Sequence, residues 1–111
     1  MSGNPSSRKG ARAELELAGH LTDHLGIRVR RKLGAGRQDD TGDLEGVDRV
    51  VMQAKNYRDV TRAISDGLRD LDGQKHNANA DYGVLWVRRR GGQWVAVMPL
   101  ADWCAMWRET L

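Results

Sequence analysis

The chain has 111 residues, 40% of them hydrophobic and 30% charged, and a formal net charge of +3. This balance fits one globular domain rather than a disordered chain, and no apolar run approaches the ~20 residues that a membrane span needs. Residues 1–7 are small and polar and lack the apolar stretch of a signal peptide, so we expect a flexible tail there and a single domain over residues 8–111. The only cysteine, Cys104, rules out an intrachain disulfide and favours a reducing, cytoplasmic location.

The first third of the chain predicts a helix, a basic strand and a loop. Ser7 is a suitable N-cap for a helix that runs to about Leu25, and Gly26 follows it as a helix-ending glycine. Residues 27–33 alternate in polarity and predict a strand. Residues 34–42 form a Gly-rich loop that lacks the Gly-Lys-Ser/Thr ending of a P-loop, so we expect no nucleotide site there.

The remaining elements predict a mixed sheet covered by helices. After a short strand at residues 43–45 and a turn at Gly46, residues 47–55 form the strongest β-run of the chain. Residues 59–77 then repeat apolar side chains at helical spacing. Two further strands are predicted at residues 82–90 and 93–98, and Gly91-Gly92 forms the hairpin turn between them. A short helix follows Pro99. The order α-β-β-β-α-β-β-α predicts an α/β fold, a mixed β-sheet flanked by helices.

Basic residues cluster at the ends of two predicted strands, and the isoelectric point is about 9.4. The clusters are Arg28, Arg30, Arg31 and Lys32, and Arg88, Arg89 and Arg90. Solvated strand ends account for such clusters without a partner, and a polyanion such as DNA accounts for them equally well. With DNA as the partner, phosphate contacts would come from Arg28, Arg30 and Lys32.

Glu14 interrupts the apolar face of the first predicted helix. It shares that face with Ala18, Leu21 and Leu25, because their spacings repeat the helical turn. A carboxylate among apolar side chains is costly unless a cation or hydrogen bonds compensate it. Glu14 is therefore either a half-exposed residue near the helix start, favoured by the helix dipole, or a functional carboxylate.

A second set of polar residues surrounds the strongest predicted strand. Asp43 stands at the mouth of the Gly-rich loop, and Gln53 and Lys55, two residues apart, project to the same face of the sheet. Hydrolysis of a phosphodiester would use such a set, because oxygen ligands can hold Mg²⁺ and Mg²⁺ offsets the negative charge of the transition state. A lysine beside the ion can orient the attacking water and hold the phosphate.

These residues form a pattern with the order of the predicted elements. The pattern is a helix start, a basic strand, a loop ending in aspartate and a strand triplet, namely Lys9-Gly10-x-x-x-Glu14, residues 27–33, Gly42-Asp43 and Gln53-Ala54-Lys55. Over residues 8–108 it resembles the PD-(D/E)XK nuclease superfamily and is most similar to the archaeal-type Holliday junction resolvases. The resemblance implies a restriction-endonuclease-like fold and a metal-dependent endonuclease that cuts branched DNA such as four-way junctions.

The resemblance also implies a role for each residue. Asp43, Gln53 and Glu14 would be ligands of a Mg²⁺ or Mn²⁺ ion, and Lys55 would be the catalytic lysine. Lys9 and Arg37 would contact DNA. A homodimer is expected, because a two-fold dimer presents equivalent active sites to the equivalent strands of a junction.

Two positions depart from the pattern of the resolvases. Gln53 stands where these proteins carry an acidic residue, and its amide oxygen brings no charge, so metal affinity should fall. The loop has Ala35 and Gly36 where resolvases of this type often carry a serine. Gln74 lies near the apolar face of the second helix, where some relatives carry a glutamine, although a surface position at a helix end is the simpler interpretation.

Two other functions stay open. A nuclease-like module that binds nucleic acid or a protein without cutting is favoured by Gln53, and a repair or restriction-type nuclease acting on other DNA is the second. His20 and His24 have a zinc-compatible spacing but lack a matching glutamate or second cysteine, so we expect no zinc site. The tryptophans should fill the core or a dimer interface, and they are Trp86, Trp94, Trp103 and Trp107.

Overall fold

The computed structural model describes residues 5–33 and 40–111, with side chains described from residue 8 onward. Its elements in chain order are α1 (Pro5–Leu25), β1 (Arg30–Arg31), β2 (Leu44–Glu45), β3 (Val50–Lys55), α2 (Val60–Asn77), β4 (Tyr82–Arg88), β5 (Trp94–Val97) and α3 (Leu100–Arg108). This order is the predicted one, and the α/β class is confirmed. Within the described ranges, no helix is both long enough and apolar enough to cross a membrane.

The five strands form one mixed sheet in the order β1-β2-β3-β4-β5. Only β3 and β4 are parallel, and the other three neighbouring pairs are antiparallel. A parallel pair needs a crossover connection, which α2 supplies, whereas the β4–β5 pair is joined by the predicted glycine turn. Gly91 and Gly92 both have positive φ angles, 91° and 95°.

Each face of the sheet has its own hydrophobic core. On one face α1 packs Leu17 against Leu44 and Met52, each only 1% exposed. On the other, Ala63 of α2 belongs to a fully buried cluster with Leu85 and Val87 of β4. Because strand side chains alternate, Gln53 and Lys55 point away from α1 and toward α2.

A buried carboxylate fixes α3 to the rest of the fold. Asp102, 7% exposed, accepts hydrogen bonds from Lys75 Nζ at 3.0 and 3.1 Å and from the Gly83 amide at 2.9 Å. The remaining surface of α3 is open, and Trp103 and Trp107 are each 52% exposed. Of the two predicted places for the tryptophans, the core applies to Trp86 and Trp94, which pack against the α1 core, and the dimer interface stays a prediction for Trp103 and Trp107.

Several predicted boundaries differ from the structure. Helix α1 begins at Pro5, so Ser7 lies inside the helix and is not its N-cap, in line with the preference of proline for a first helical turn. The strand predicted over residues 27–33 shrinks to β1, because the Thr22 hydroxyl bonds both the N–H and the C=O of Val29, at 2.9 and 3.1 Å. Leu25, predicted on the apolar face of the helix, is 51% exposed.

The strand predicted over residues 47–55 also begins late. The chain turns at residues 47–49, where Arg49 has a φ of 67°, so pairing starts only at Val50. The other predicted strands are each shorter by one to two residues at an end. The predicted loop lies largely outside the described residues, since residues 34–39 are not described.

We predict opposite effects for two glycine-to-alanine changes in α2. A Cβ on Gly67 would meet Leu85 Cδ2 at 2.6 Å in the second core, so Gly67→Ala should lower the free energy of unfolding by about 1 kcal/mol. Gly73 is exposed and has open space, so Gly73→Ala should raise it by about 1 kcal/mol through helix propensity. Thermal unfolding of both variants tests this, and equal shifts would contradict the close packing of α2 on β4.

Candidate active site

Backbone hydrogen bonds fix the position of Asp43. Its N–H donates to the Met52 carbonyl and its carbonyl accepts from the Lys32 N–H, both at 2.8 Å, so Asp43 joins β1 to β3. The preceding Gly42 has a φ of 96°, and a Cβ there would lie 2.7 Å from the Met52 oxygen. A glycine is therefore required before Asp43, because only glycine lets the chain approach β3 closely enough to place the aspartate side chain in the site.

The side chain of Asp43 turns toward the end of β3. Its Oδ2 accepts a hydrogen bond from the Ala54 N–H at 2.9 Å. A cleft of about 440 Å³ opens at this place. Its lining brings together all four predicted catalytic residues and one predicted DNA contact, namely Glu14, Asp43, Gln53, Lys55 and Lys9.

Glu14 extends into the cleft from α1, and a neighbouring cation compensates the charge of its carboxylate. Its Oε1 accepts from Arg31 Nε at 2.9 Å, and the side chains of Glu14 and Arg31 are only 21% and 29% exposed. The apolar neighbours Ala18 and Leu21 are buried as predicted. A cation from β1 therefore allows a carboxylate to stand at the end of the apolar face of α1.

Burial makes the carboxyl group of Asp43 a weaker acid than an ordinary aspartate. Its pKa is raised from 3.8 to about 6, mainly by burial, and the negative charges of Glu14 and Asp40 add to the rise. The Ala54 N–H and the charge of Lys55 act in the opposite direction without cancelling it. At neutral pH the site thus holds an ionised carboxylate that its surroundings disfavour.

Gln53 is the centre of a buried polar network. It is 6% exposed, and its Oε1 accepts from Gln74 Nε2 at 2.7 Å. Gln74 is 2% exposed and also donates to Asp40 Oδ2 at 2.8 Å, so its interpretation as a surface residue at a helix end is wrong. The amide end of Gln53 that faces Gln74 lies 3.3 Å from Asp43 Oδ2, and the opposite end lies 3.2 Å from Lys55 Nζ.

Lys55 completes the site from the end of β3. Its side chain is 15% exposed, and its Nζ lies 3.9 Å from Asp70 Oδ2 and 5.4 Å from the centre of the Tyr57 ring. Asp40 and Asp70 are not singled out by the sequence pattern. Asp70 and Gln74 are one helical turn apart beside the apolar face of α2. That spacing is the one sequence signal that indicates Asp70 and Gln74, and it gives no indication of Asp40.

The oxygen atoms of the site suit a hard divalent cation. Two ligand oxygens at right angles around an ion at ~2.1 to ~2.4 Å stand about 3.0 to 3.4 Å apart. Asp43 Oδ2 and the facing end of the Gln53 amide, 3.3 Å apart, meet that spacing where that end is the oxygen, whereas an NH₂ group there would donate a hydrogen bond to Asp43. Among the described residues, no three Asp, Glu, His or Cys side chains form a metal-binding group, so a cation here would depend on the carboxylates of Asp43 and Glu14 together with the amide of Gln53.

The predicted DNA contacts divide between two sides of the sheet. Lys9 is exposed at the cleft, and an adjoining depression of about 350 Å³ shares Lys9 and adds Arg12 and Arg88. Arg30 lies 3.4 Å from Glu45, and Lys32 Nζ donates to the Thr41 carbonyl and hydroxyl at 2.9 and 2.8 Å. The cleft lining includes neither of them.

Arg28 is exposed before β1 and does not line the cleft. Arg37 lies outside the described residues. Arg12, by contrast, continues the basic surface beside the cleft, and the sequence pattern alone does not indicate it.

Comparison with known protein families, with characterised proteins and with solved structures gives no match to this chain. The functional interpretation therefore depends on the chemistry of the cleft.

We predict that Asp43→Asn stabilises the metal-free protein at neutral pH. A pKa that rises from 3.8 to about 6 on folding means that the folded state binds the proton more tightly, so stability is lost as pH rises through that window. At ~1.4 kcal/mol per pKa unit, the variant should gain roughly 3 kcal/mol at pH 7.5 and almost nothing at pH 3.5. Urea unfolding in EDTA at both pH values measures this. Asp72→Asn, at an exposed position of α2, is the control, and a destabilised Asp43→Asn protein at pH 7.5 would contradict the burial of this charge.

Proposed function

We propose that the chain is a metal-dependent DNA endonuclease of the PD-(D/E)XK type, with a restriction-endonuclease-like fold and a preference for branched DNA such as four-way junctions. The observation that carries the proposal is the convergence of Glu14, Asp43, Gln53 and Lys55 in one cleft. These residues come from α1, from the residue before β2 and from the second half of β3. Their shared chemistry is oxygen donors beside a lysine, as phosphodiester hydrolysis requires.

The residues of the cleft have distinct tasks in this reaction. Asp43, Glu14 and the Gln53 oxygen would hold Mg²⁺ or Mn²⁺, which when bound supplies positive charge against the phosphate of the substrate. Lys55 extends its ammonium group into the same cleft, where it can bind a non-bridging phosphate oxygen and orient the attacking water. The partial burial of Lys55 and Asp43 strengthens both interactions, because fewer water molecules screen them.

Basic residues beside the cleft supply the contacts to the rest of the strand. Lys9 borders both the cleft and the adjoining depression, which also contains Arg12 and Arg88. Arg88 is bound to Glu16 at 2.9 Å, so Lys9 and Arg12 are the better candidates for phosphate contacts. Such contacts orient a DNA backbone without reading its sequence, which suits an enzyme that selects DNA by shape.

A non-cutting module that binds nucleic acid is the second candidate function. Gln53 favours it, because an amide in place of a carboxylate leaves two negative ligands and weakens the hold on a cation. The two candidates share the basic surface and differ only in the cleft. A repair or restriction-type nuclease would use the same cleft on linear DNA.

The exposed face of α3 supports a homodimer as the active form. Its apolar side chains are Leu100, Trp103, Met106 and Trp107, and Leu100 is 80% exposed. The rings of Trp103 and Trp107 lie nearly parallel with centroids 6.3 Å apart, which makes a continuous apolar surface. A second copy of the chain is the occupant we propose, because two-fold symmetry would match two active sites to a junction.

We predict that cleavage depends on the cleft residues and on a divalent cation. With a labelled four-way junction and its linear duplex arms as substrates, Asp43→Asn and Lys55→Ala should each slow cleavage at least about 100-fold in Mg²⁺, and EDTA should abolish it in the unchanged protein. Controls are Asp72→Asn and Arg62→Ala, at exposed positions of α2. Junction cleavage well above duplex cleavage supports the resolvase activity. Binding with no cleavage in Mg²⁺ or Mn²⁺ would leave the non-cutting module.

We predict a dimer that the α3 face holds together. Light scattering should give twice the chain mass of 12.4 kDa. Trp103→Glu should convert the protein to a monomer, because it places a charge in the proposed apolar interface. Ala105→Glu adds the same charge at an exposed position on a different face of α3 and should leave the dimer intact. A monomeric parent protein, or equal effects of both variants, would contradict this interface.

A further inference from the structure

A chain of three side chains connects the described end of the loop to the cleft. Asp40 Oδ2 accepts from Gln74 Nε2 at 2.8 Å, and the same nitrogen donates to Gln53 Oε1 at 2.7 Å. Gln74 and Gln53 are only 2% and 6% exposed. Among the predicted catalytic residues, Gln53 alone has an orientation that neighbouring hydrogen bonds must decide, since the two ends of an amide have the same shape.

The far end of this chain is anchored independently of the cleft. Asp40 Oδ1 accepts from the Gly42 N–H at 3.0 Å, and the Asp40 carbonyl accepts from Asn77 Nδ2 at 2.9 Å. A carboxylate accepts hydrogen bonds and does not donate them. The end of the Gln74 amide that faces Asp40 must therefore be its NH₂ group.

The orientation of Gln74 then favours one orientation of Gln53. The NH₂ group of Gln74 donates to Gln53 Oε1 at 2.7 Å, the shortest contact of this amide, whereas an NH₂ group at the same end of Gln53 would lie against that donor and would have Gln74 Oε1 and Asp43 Oδ2 as acceptors at 3.2 and 3.3 Å. In the favoured orientation Gln53 Oε1 lies 3.3 Å from Asp43 Oδ2, the spacing of two adjacent ligands on a hard cation. Turned over, the Gln53 amide would donate to Asp43 Oδ2 and accept from Lys55 Nζ at 3.2 Å, which satisfies the metal-free cleft and withdraws the oxygen.

We propose that Asp40 and Gln74 are positioning residues that hold the Gln53 oxygen toward Asp43 and so keep an amide usable as a cation ligand. The inference rests on the proposed function, because the cation is that of the proposed nuclease site. It also gives a reason why an amide can occupy a position that relatives of the proposed type fill with a carboxylate. A glutamate at this position has two equivalent oxygens and needs no such orientation.

The test is a double-mutant cycle read as Mn²⁺ affinity. The four full-length proteins are the parent, Asp40→Asn, Gln53→Glu and the double variant, each titrated with Mn²⁺ by calorimetry. Asp40→Asn lets residue 40 donate, so Gln74 can turn over and release Gln53. Asp40→Asn should lower Mn²⁺ affinity about tenfold more in the parent background than in the Gln53→Glu background, because only the amide of glutamine has an orientation to lose. Gln74→Met, which keeps the volume and removes the hydrogen bonds, should show the same dependence on residue 53.

Two controls separate positioning from charge and from folding. Asp48→Asn removes one exposed negative charge and should change Mn²⁺ affinity little and equally in both backgrounds. In the parent protein, NMR contacts from the Gln53 side-chain NH₂ should go to Lys55, since the proposed orientation directs that group 3.2 Å from Lys55 Nζ. This measurement needs no variant and holds even where a variant fails to fold.

The outcomes distinguish the two proposals. Equal losses in both backgrounds, or Gln53 NH₂ contacts to Gln74 instead of Lys55, would overturn the positioning role and leave the cation site standing. Mn²⁺ binding that Asp43→Asn does not weaken, or no Mn²⁺ binding by the parent and Gln53→Glu proteins, would overturn the cation site and the positioning role with it.

Discussion

The ionised carboxylate of Asp43 is the constraint on which the site depends. Its backbone joins β1 to β3, and its side chain accepts the Ala54 N–H at 2.9 Å, so both hold the carboxylate at the end of β3. Burial raises its pKa to about 6, which means that the fold would be more stable with a neutral side chain there. A cation would remove that penalty, and the Gln53 amide and the Lys55 ammonium group line the same cleft as Asp43.

Much of the fold follows from periodicities that the sequence displays. Apolar residues at helical spacing marked α1 and α2, the β-run before Asn56 marked β3, and the glycine pair marked the β4–β5 turn. The alternation of strand side chains sufficed to predict that Gln53 and Lys55 share a face. Glu14 stands out in the sequence because its neighbours on the same helix face are apolar, and Arg31 provides the compensation that such a position needs.

The features that the sequence did not indicate depend on contacts between distant residues. The Thr22 hydroxyl takes the place of a strand partner for Val29. No local sequence pattern indicates this contact. Asp40 and Gln74 are far apart in the chain, and their hydrogen bond exists only once α2 lies against the sheet. The exposure of Trp103 and Trp107 likewise follows from the way Asp102 anchors α3, because that anchor decides which face of the helix is covered.

Anomalous diffraction from crystals soaked in Mn²⁺ tests the central claim most directly, since it locates the cation without reference to activity. We expect one strong peak in the cleft, with Asp43 and the Gln53 oxygen as ligands at ~2.1 to 2.4 Å and Glu14 beside it. Loss of the peak in crystals of Asp43→Asn would support the same assignment. Saturating Mn²⁺ that gives no peak in the cleft, or a peak bound by other residues, would contradict the assignment of this cleft as a metal-dependent active site.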